Sequence, residues 1–293
     1  MIMKNSTIDV RPVSANVGAE IHGVDLAQPL TERSYGEIRA ALNEHGVIFF
    51  RNQAITPDQQ MAFAEHFGAF DVDPTAEVGH PPGYPMICEV RKEPEATRNI
   101  GGNWHTDHCF DPDPPLGSIL LARELPDYGG DTMFASMYAA YDALSDGLKK
   151  TLEGLNAVHA KTRAFVGLTR ERQVSANEHA DIQSRFAARE AVHPVVPRHP
   201  ESGRKLLFVN PTYTVRFEGW TEKESEPLLK YLFQHAARPE FTCRFQWRVG
   251  SIAFWDNRAV WHYALNDYHG SRRLMHRIAI KGNGFPGSKR ATA

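Results

Sequence analysis

His105 and Asp107 stand two apart in the run Gly102-Asn103-Trp104-His105-Thr106-Asp107. In an extended chain, residues i and i+2 project to the same side, so an imidazole and a carboxylate can converge on one ion. A third ligand has to come from elsewhere, and His262, in the run Trp255-Asp256-Asn257-Arg258-Ala259-Val260-Trp261-His262-Tyr263-Ala264, can supply it. Two histidines and a carboxylate on one side of a metal make the facial triad of non-haem Fe(II) oxygenases, which leaves positions open for a co-substrate and oxygen. An H-x-D pair alone is a weak signal, because a lone His is more often packed or at the surface than a ligand. Neighbouring His108 lengthens the pair to H-x-D-H, part of a binuclear hydrolase signature, but the first histidine of that signature falls at Asn103.

A second group of residues points to anions. Arg273, Met275 and Arg277 share one face of a strand expected over Arg273–Ile280, and Leu274, His276 and Ile278 share the other. At about 3.3 Å per residue the two arginines sit roughly 13 Å apart along it. Two guanidinium groups on an inward face are costly unless they meet anions, and the planar fork of Arg suits carboxylates. On an outward face the same residues would make two surface salt bridges.

Capping residues mark the helices that must hold this constellation. Thr31 precedes a periodic run from Glu32 to His45 that stops at Gly46. Val47-Ile48-Phe49-Phe50 then suits a buried strand. Thr56-Pro57-Asp58-Gln59 has the capping-box pattern, opening a helix expected to end near Gly68. Ser145 and Thr221 are further N-cap candidates, and Pro227 makes the start of the Thr221 helix ambiguous. Strands are expected at Gly117–Ala122, Asp131–Ala135, Lys205–Asn210, Phe241–Trp247, Ser251–Trp255 and Arg273–Ile280. With no strict strand–helix alternation, G-x-G-x-x-G or Walker loop, a doubly wound nucleotide-binding sheet is disfavoured. A β-sandwich or open barrel with peripheral helices fits. The polar stretch Thr169–Glu190 is either a solvated surface segment or a lid over a site, and a lid would span about 166–192.

The composition narrows the function class. The 293 residues, 42% of them hydrophobic, are enough for one domain with a full core. A formal net charge of −2 with scattered basic residues offers no field for nucleic acid or an anionic membrane. Three scattered cysteines form neither a disulfide framework nor a C-x-x-C site, which fits a reducing compartment. With no apolar leader and no run of 18 apolar residues, the expectation is a cytoplasmic protein, assembled as a dimer or tetramer.

Nearly end to end, the chain resembles the family of taurine dioxygenases and chlorophenoxyacetate dioxygenases. The matching blocks are Gly18–Leu26, Gln53-Ala54-Ile55-Thr56-Pro57, Phe67-Gly68, Trp104–Asp107, Gly129-Gly130-Asp131-Thr132, Trp255–Arg258 and the His262 and Arg273 segments, in this order. The resemblance implies a mainly β fold with peripheral helices and a double-stranded β-helix (jelly-roll) core. It implies Fe(II) held by His105, Asp107 and His262, with Arg273 on the distal carboxylate of 2-oxoglutarate and Thr132 hydrogen-bonded to the same co-substrate. Arg277 corresponds to the residue that takes the anionic group of the primary substrate, and Trp255 to a core aromatic near the site. The implied reaction consumes O2, converts 2-oxoglutarate to succinate and CO2, and hydroxylates an aliphatic C–H. Relatives that halogenate lack the carboxylate ligand, so Asp107 favours hydroxylation.

The primary-substrate pocket departs from the taurine pattern. The His and Tyr that follow Phe-Gly in taurine enzymes fall on Asp73 and Ala76, an Asn before the first ligand falls on Gly101, and a pocket Ser falls on Ala164. Phe165 and Tyr213 keep aromatic character. A carboxylate at Asp73 would repel a sulfonate in a dry pocket, unless it turns outward. The expected substrate is a small organic anion larger and more apolar than taurine: a sulfonate, a sulfate ester, or a carboxylate such as an aryloxyalkanoate. Two other readings stand beside this one: a metal- and 2-oxoglutarate-binding sensor without turnover, and a zinc hydrolase.

Overall fold

The computed structural model describes residues 6–72, 79–162 and 189–291. Helix α1 (Glu32–His45) starts where the Thr31 hydroxyl accepts from the Ser34 N–H. It stops at Gly46, whose φ of 72° and close approach to Val260 exclude a side chain: a Cβ there would lie 2.6 Å from Val260 Cγ1. Helix α2 (Pro57–Glu65) opens on the full Thr56/Gln59 capping box and ends three residues before Gly68.

The strands are β1 (Asp9–Pro12), β2 (Ala19–His22), β3 (Val47–Phe50), β4 (Cys88–Lys92), β5 (Gly117–Glu124) and β6 (Thr132–Ser136) in the first half. Helices α3 (Met137–Asp142) and α4 (Asp146–Leu152), the latter capped by Ser145, lead to β7 (Asn156–Ala160), β8 (Glu190–Pro194) and β9 (Thr214–Phe217). Helix α5 (Glu222–Ala236) follows, then β10 (Thr242–Phe245), β11 (Ile252–Asp256), β12 (Val260–Ala264), β13 (Arg273–Ile280) and β14 (Lys289–Arg290). Pro227 does not delay α5, because a Thr221/Glu224 capping box starts the helix upstream of it.

These strands form a seven-stranded sheet in the order β1-β2-β3-β11-β5-β13-β4, a three-stranded sheet β10-β6-β12, and a four-stranded sheet β14-β8-β7-β9. Among the described residues, only β2 and β3 pair in parallel. The central strands of the large sheet are buried on both faces, so they read as continuous apolar runs. Their alternation still sorts the residues. Ile48, Phe50, Ile119, Leu121, Phe254 and Ile278 pack under α1 and α2 with Ile38, Leu42 and Phe63. Val47, Phe49, Leu120, Ala122, Trp255 and Met275 pack inward with Phe134 and Val260, which come from the small sheet and its edge. Arg273 and Arg277 share the inward face with Met275.

Arg273–Ile280 forms as expected and the other five expected strands differ: Gly117–Ala122 runs two residues further as β5, and Ser251–Trp255 shifts by one residue to β11. Lys205–Asn210 is extended but not a strand: Leu206, Leu207 and Phe208 donate in turn to the carbonyls of Pro197, Met137 and Val195, so no single neighbour gives a ladder. Phe241–Trp247 shrinks to β10, because Pro239–Phe241 forms a 3-10 turn ahead of it. Asp131–Ala135 shifts by one residue to β6. No helix of the described residues is long and apolar enough to cross a membrane.

Candidate active site

The site is assembled by backbone pairing. His105 N–H donates to the His262 carbonyl at 3.1 Å, and His262 N–H donates to the His105 carbonyl at 2.9 Å. Residues 157 positions apart are thereby stitched side by side. The Thr106 hydroxyl sits within hydrogen-bond distance of the carbonyls of Asn257 (3.1 Å) and Val260 (3.0 Å), and Thr212 Oγ1 donates to the Trp104 carbonyl at 2.9 Å. His262 is carried by β12, held in register by β6, where it faces Phe134.

The three ligand atoms of His105, Asp107 and His262 all lie within 4.8 Å of one another. Each imidazole Nε2 is 3.6 Å from Asp107 Oδ1. His105 Nδ1 lies 2.8 Å from the Asn103 carbonyl, which assigns its proton to Nδ1 and leaves Nε2 to ligate. All three residues are buried. Burial alone would raise the Asp107 carboxyl, but the Arg277 guanidinium and both imidazoles outweigh it and hold the group well below the usual carboxylate range. Burial, then His105, pushes His262 well below an ordinary imidazole. The set is therefore an anionic carboxylate and a neutral imidazole beside a second imidazole, the donor chemistry of a facial triad. His108 turns away, to within 3.4 Å of Asp71 and 3.9 Å of Asp111, so the longer H-x-D-H signature does not converge. Its φ of 48° is the strained step that lets the chain leave the site after Asp107.

Around the triad, Asp107 Oδ2 accepts from Ser118 Oγ and from Arg277 Nη1, each at 3.3 Å. Arg277 is a half-buried cation, and burial against it is overcome by Asp107, so its pKa is raised. Arg273 is 4% exposed, with no hydrogen-bond partner for Nε or Nη2 among the described residues. It is not a surface salt bridge. A dry guanidinium with orphaned donors is a standing site for an anion. Gly130 makes room for it: a Cβ there would lie 3.3 Å from Arg273 Cδ and Nε. Thr132 Oγ1 accepts from Trp247 Nε1 at 3.0 Å, and the Trp247 ring lies 5.8 Å from the Arg273 guanidinium carbon. Trp255 packs 4.7 Å from the His262 ring and ties its own Nε1 to Asn257 Oδ1, a core role.

Tyr213 lies 6.4 Å from the His105 ring and 5.0 Å from Phe110, with its phenol pKa pushed up first by burial and then by Asp107. Phe165, Asp73 and residues 166–188 of the expected lid lie outside the described residues, while 190–192 belong to β8. Gly101, which stands where taurine enzymes carry an Asn, lies against the His105 ring. Its φ is +79° and a Cβ there would sit 3.2 Å from His105 Cε1, so the backbone itself abuts the ligand. Sequence reasoning missed Ser118 and Trp247, which touch the site from β5 and from the segment after β10. Each lies within or beside an expected strand, but a lone Ser or Trp carries no ligand spacing to mark it.

A profile of the taurine catabolism dioxygenase TauD, TfdA family matches residues 9–279. The chain belongs to this family. An alkylsulfatase from Acinetobacter baylyi is 35% identical over 278 residues, spanning 94% of this chain and 85% of that protein. An alpha-ketoglutarate-dependent sulfate ester dioxygenase from Pseudomonas putida is 35% identical over 276 residues, spanning 94% of this chain and 90% of its own. The solved structure of AAD-2 in complex with Mn(II) and N-oxalylglycine superposes with a TM-score of 0.80 at 29% identity, spanning 96% of this chain and 99% of that one. The TauD/TfdA membership thus agrees with the convergence of His105, Asp107 and His262.

Proposed function

We propose that this TauD/TfdA protein is an Fe(II)- and 2-oxoglutarate-dependent dioxygenase that hydroxylates an aliphatic C–H of a small organic anion. The observation that carries this reading is the convergence of His105, Asp107 and His262, together with the buried guanidinium of Arg273, whose Nε and Nη2 have no hydrogen-bond partner among the described residues. The core is read as a double-stranded β-helix, formed by the two sheets that face each other across Phe49, Phe134 and Trp255. His105, Asp107 and His262 hold the metal, Arg273 and Thr132 take the distal end of 2-oxoglutarate, and Arg277 takes the anion of the primary substrate. Phe165, Tyr213 and Asp73 are assigned to the substrate pocket, with residues 166–188 as its lid and 190–192 excluded from it because they lie in β8. When bound, Fe(II) and 2-oxoglutarate couple oxidative decarboxylation to succinate and CO2 with insertion of one atom of O2 into the C–H bond.

The protein's own part is placement. Arg273 and Arg277 lie four residues apart on one strand face, roughly 13 Å by the strand rise. Co-substrate and substrate are thereby anchored by their anionic ends on either side of the triad, with their reactive ends between. The rings of Tyr213, 6.4 Å from His105, and Trp255, 4.7 Å from His262, give the triad an aromatic surround.

Among the anions, sulfate esters lead, given the two relatives named for sulfate-ester chemistry. Hydroxylation at the carbon bearing the ester oxygen gives an adduct that collapses to an aldehyde and inorganic sulfate. The experiment is a panel of alkyl sulfates, alkyl sulfonates, aryloxyalkanoates and taurine, scored by stimulated succinate release and, for the sulfates, by free sulfate. Alkyl sulfates are expected to give the largest stimulation. Taurine as the best substrate would overturn the substrate class, and no stimulation by any compound would overturn the activity.

A further inference from the structure

At the end of β13 that carries Arg273, a second buried cation lies opposite it. β4 runs antiparallel to β13, with Cys88 opposite Arg277, Val90 opposite Met275 and Lys92 opposite Arg273. Val90 packs on the inward cluster with Met275, so strand alternation turns Lys92 inward as well. Lys92 is 3% exposed and is the one buried residue of its strand. Its Nζ lies 3.4 Å from the Tyr268 carbonyl and 4.1 Å from the centre of the Tyr268 ring. No carboxylate pairs with it among the described residues. Tyr268 also walls the space of Arg273: a Cβ on Gly130 would lie 3.3 Å from both Arg273 Cδ and Tyr268 Cδ1.

Like charges directly opposite on paired strands repel, and dry cations are costly without counter-charge. Asp131, the buried acid whose charge acts on Arg273, is already paired with Arg244 at 2.7 Å. Two inward cations at one register therefore call for an exogenous anion, and a carboxylate can meet both.

We propose that Lys92 and Arg273 form a two-cation clamp on the distal carboxylate of the dicarboxylate co-substrate. The clamp rests on the function proposed above and adds a residue to it. Arg273 supplies the planar fork, and Lys92 supplies a point charge from the neighbouring strand, held in place by the Tyr268 ring. The clamp would make the site select for a charged far end, beyond the keto-acid end that any 2-oxo acid offers to the metal.

Anaerobic isothermal titration of the Mn(II)-loaded protein tests this, with 2-oxoglutarate and with 2-oxopentanoate, which lacks the distal carboxylate. Lys92→Met is expected to weaken 2-oxoglutarate by about tenfold to a hundredfold, as for loss of one charge-assisted hydrogen bond, and to leave 2-oxopentanoate unchanged. Lys92→Arg, which keeps the charge, should keep the preference for 2-oxoglutarate. Lys92→Gln carries the same comparison if thermal melting shows Lys92→Met to be unfolded. Unchanged 2-oxoglutarate affinity, or equal loss for both ligands, would overturn the clamp and leave Lys92 as a prop for Tyr268. Failure of the unsubstituted protein to bind 2-oxoglutarate would overturn the proposed function and the clamp together.

Discussion

Replacing Arg258 by Met should destabilise the fold more than replacing Arg258 and Asp256 together. The Asp256 carboxylate is 1% exposed and Arg258 is 3% exposed. Asp256 Oδ1 accepts from Arg258 Nε at 2.9 Å and from its backbone N–H at 2.8 Å, while Oδ2 accepts from Arg258 Nη2 at 2.6 Å and lies 2.9 Å from His199 Nε2. Arg258→Met leaves a buried carboxylate without its main counter-charge, which costs about 3–5 kcal/mol. For a chain of this size that lowers the melting temperature by roughly 2–4 °C for each kcal/mol. Asp256→Asn combined with Arg258→Met removes both charges and should recover part of the loss. The pH dependence carries a second signature. Burial would raise the Asp256 carboxyl, but Arg258 and His199 outweigh it and hold it below its unfolded value. A depressed folded pKa contributes stability that is complete above the unfolded value of about 4 and is lost as pH falls below it. The native protein should therefore weaken on acidification below about pH 5, and Arg258→Met should lose much of that slope. Urea denaturation at several pH values reads both effects. A double variant that loses the sum of two full single losses, or a single variant that loses under about 1 kcal/mol, would refute the buried-pair account.

Asp107→Ala should abolish Fe(II)-dependent succinate release and reduce Mn(II) binding in a titration, since it removes one of three ligands and the counter-charge of Arg277. Arg273→Ala should raise the KM for 2-oxoglutarate strongly, whereas Arg277→Ala should act mainly on the KM of the primary substrate; the reverse pattern in steady-state assays would exchange their roles. Gly46→Ala should cost about 1–2 kcal/mol from the left-handed backbone alone, and more from the contact with Val260, read as a lower thermal midpoint.

Much of this architecture was legible in the sequence because local rules and the global fold agree. Thr31, Thr56, Ser145 and Thr221 each cap the helix expected of them, and the doubly buried strands read as unbroken apolar runs. The triad was legible as a spacing plus one distant histidine, and its role rested on the order of the surrounding blocks. β4 was not legible: its residues, Cys-Glu-Val-Arg-Lys, carry three charges and lack a β-branched run, and only pairing with β13 makes them a strand. Lys205–Asn210 misled in the other direction, since burial alone gives an apolar run whether or not one neighbour supplies a ladder. Ser118 and Trp247 escaped because hydrogen bonds between residues distant in the chain leave no sequence spacing.

The reciprocal hydrogen bonds between His105 and His262 bear on how the protein acquires its metal. The spacing of the two imidazoles is set by backbone pairing between His105 and His262, so strand register carries that part of the site's geometry. Nitrogen and oxygen donors hold copper and zinc more tightly than ferrous iron, so the three side chains do not by themselves select the ion. Correct loading then depends on which ions the surroundings supply. A substitution that shifts the pairing of β12 would disturb the metal site without touching any of its three side chains.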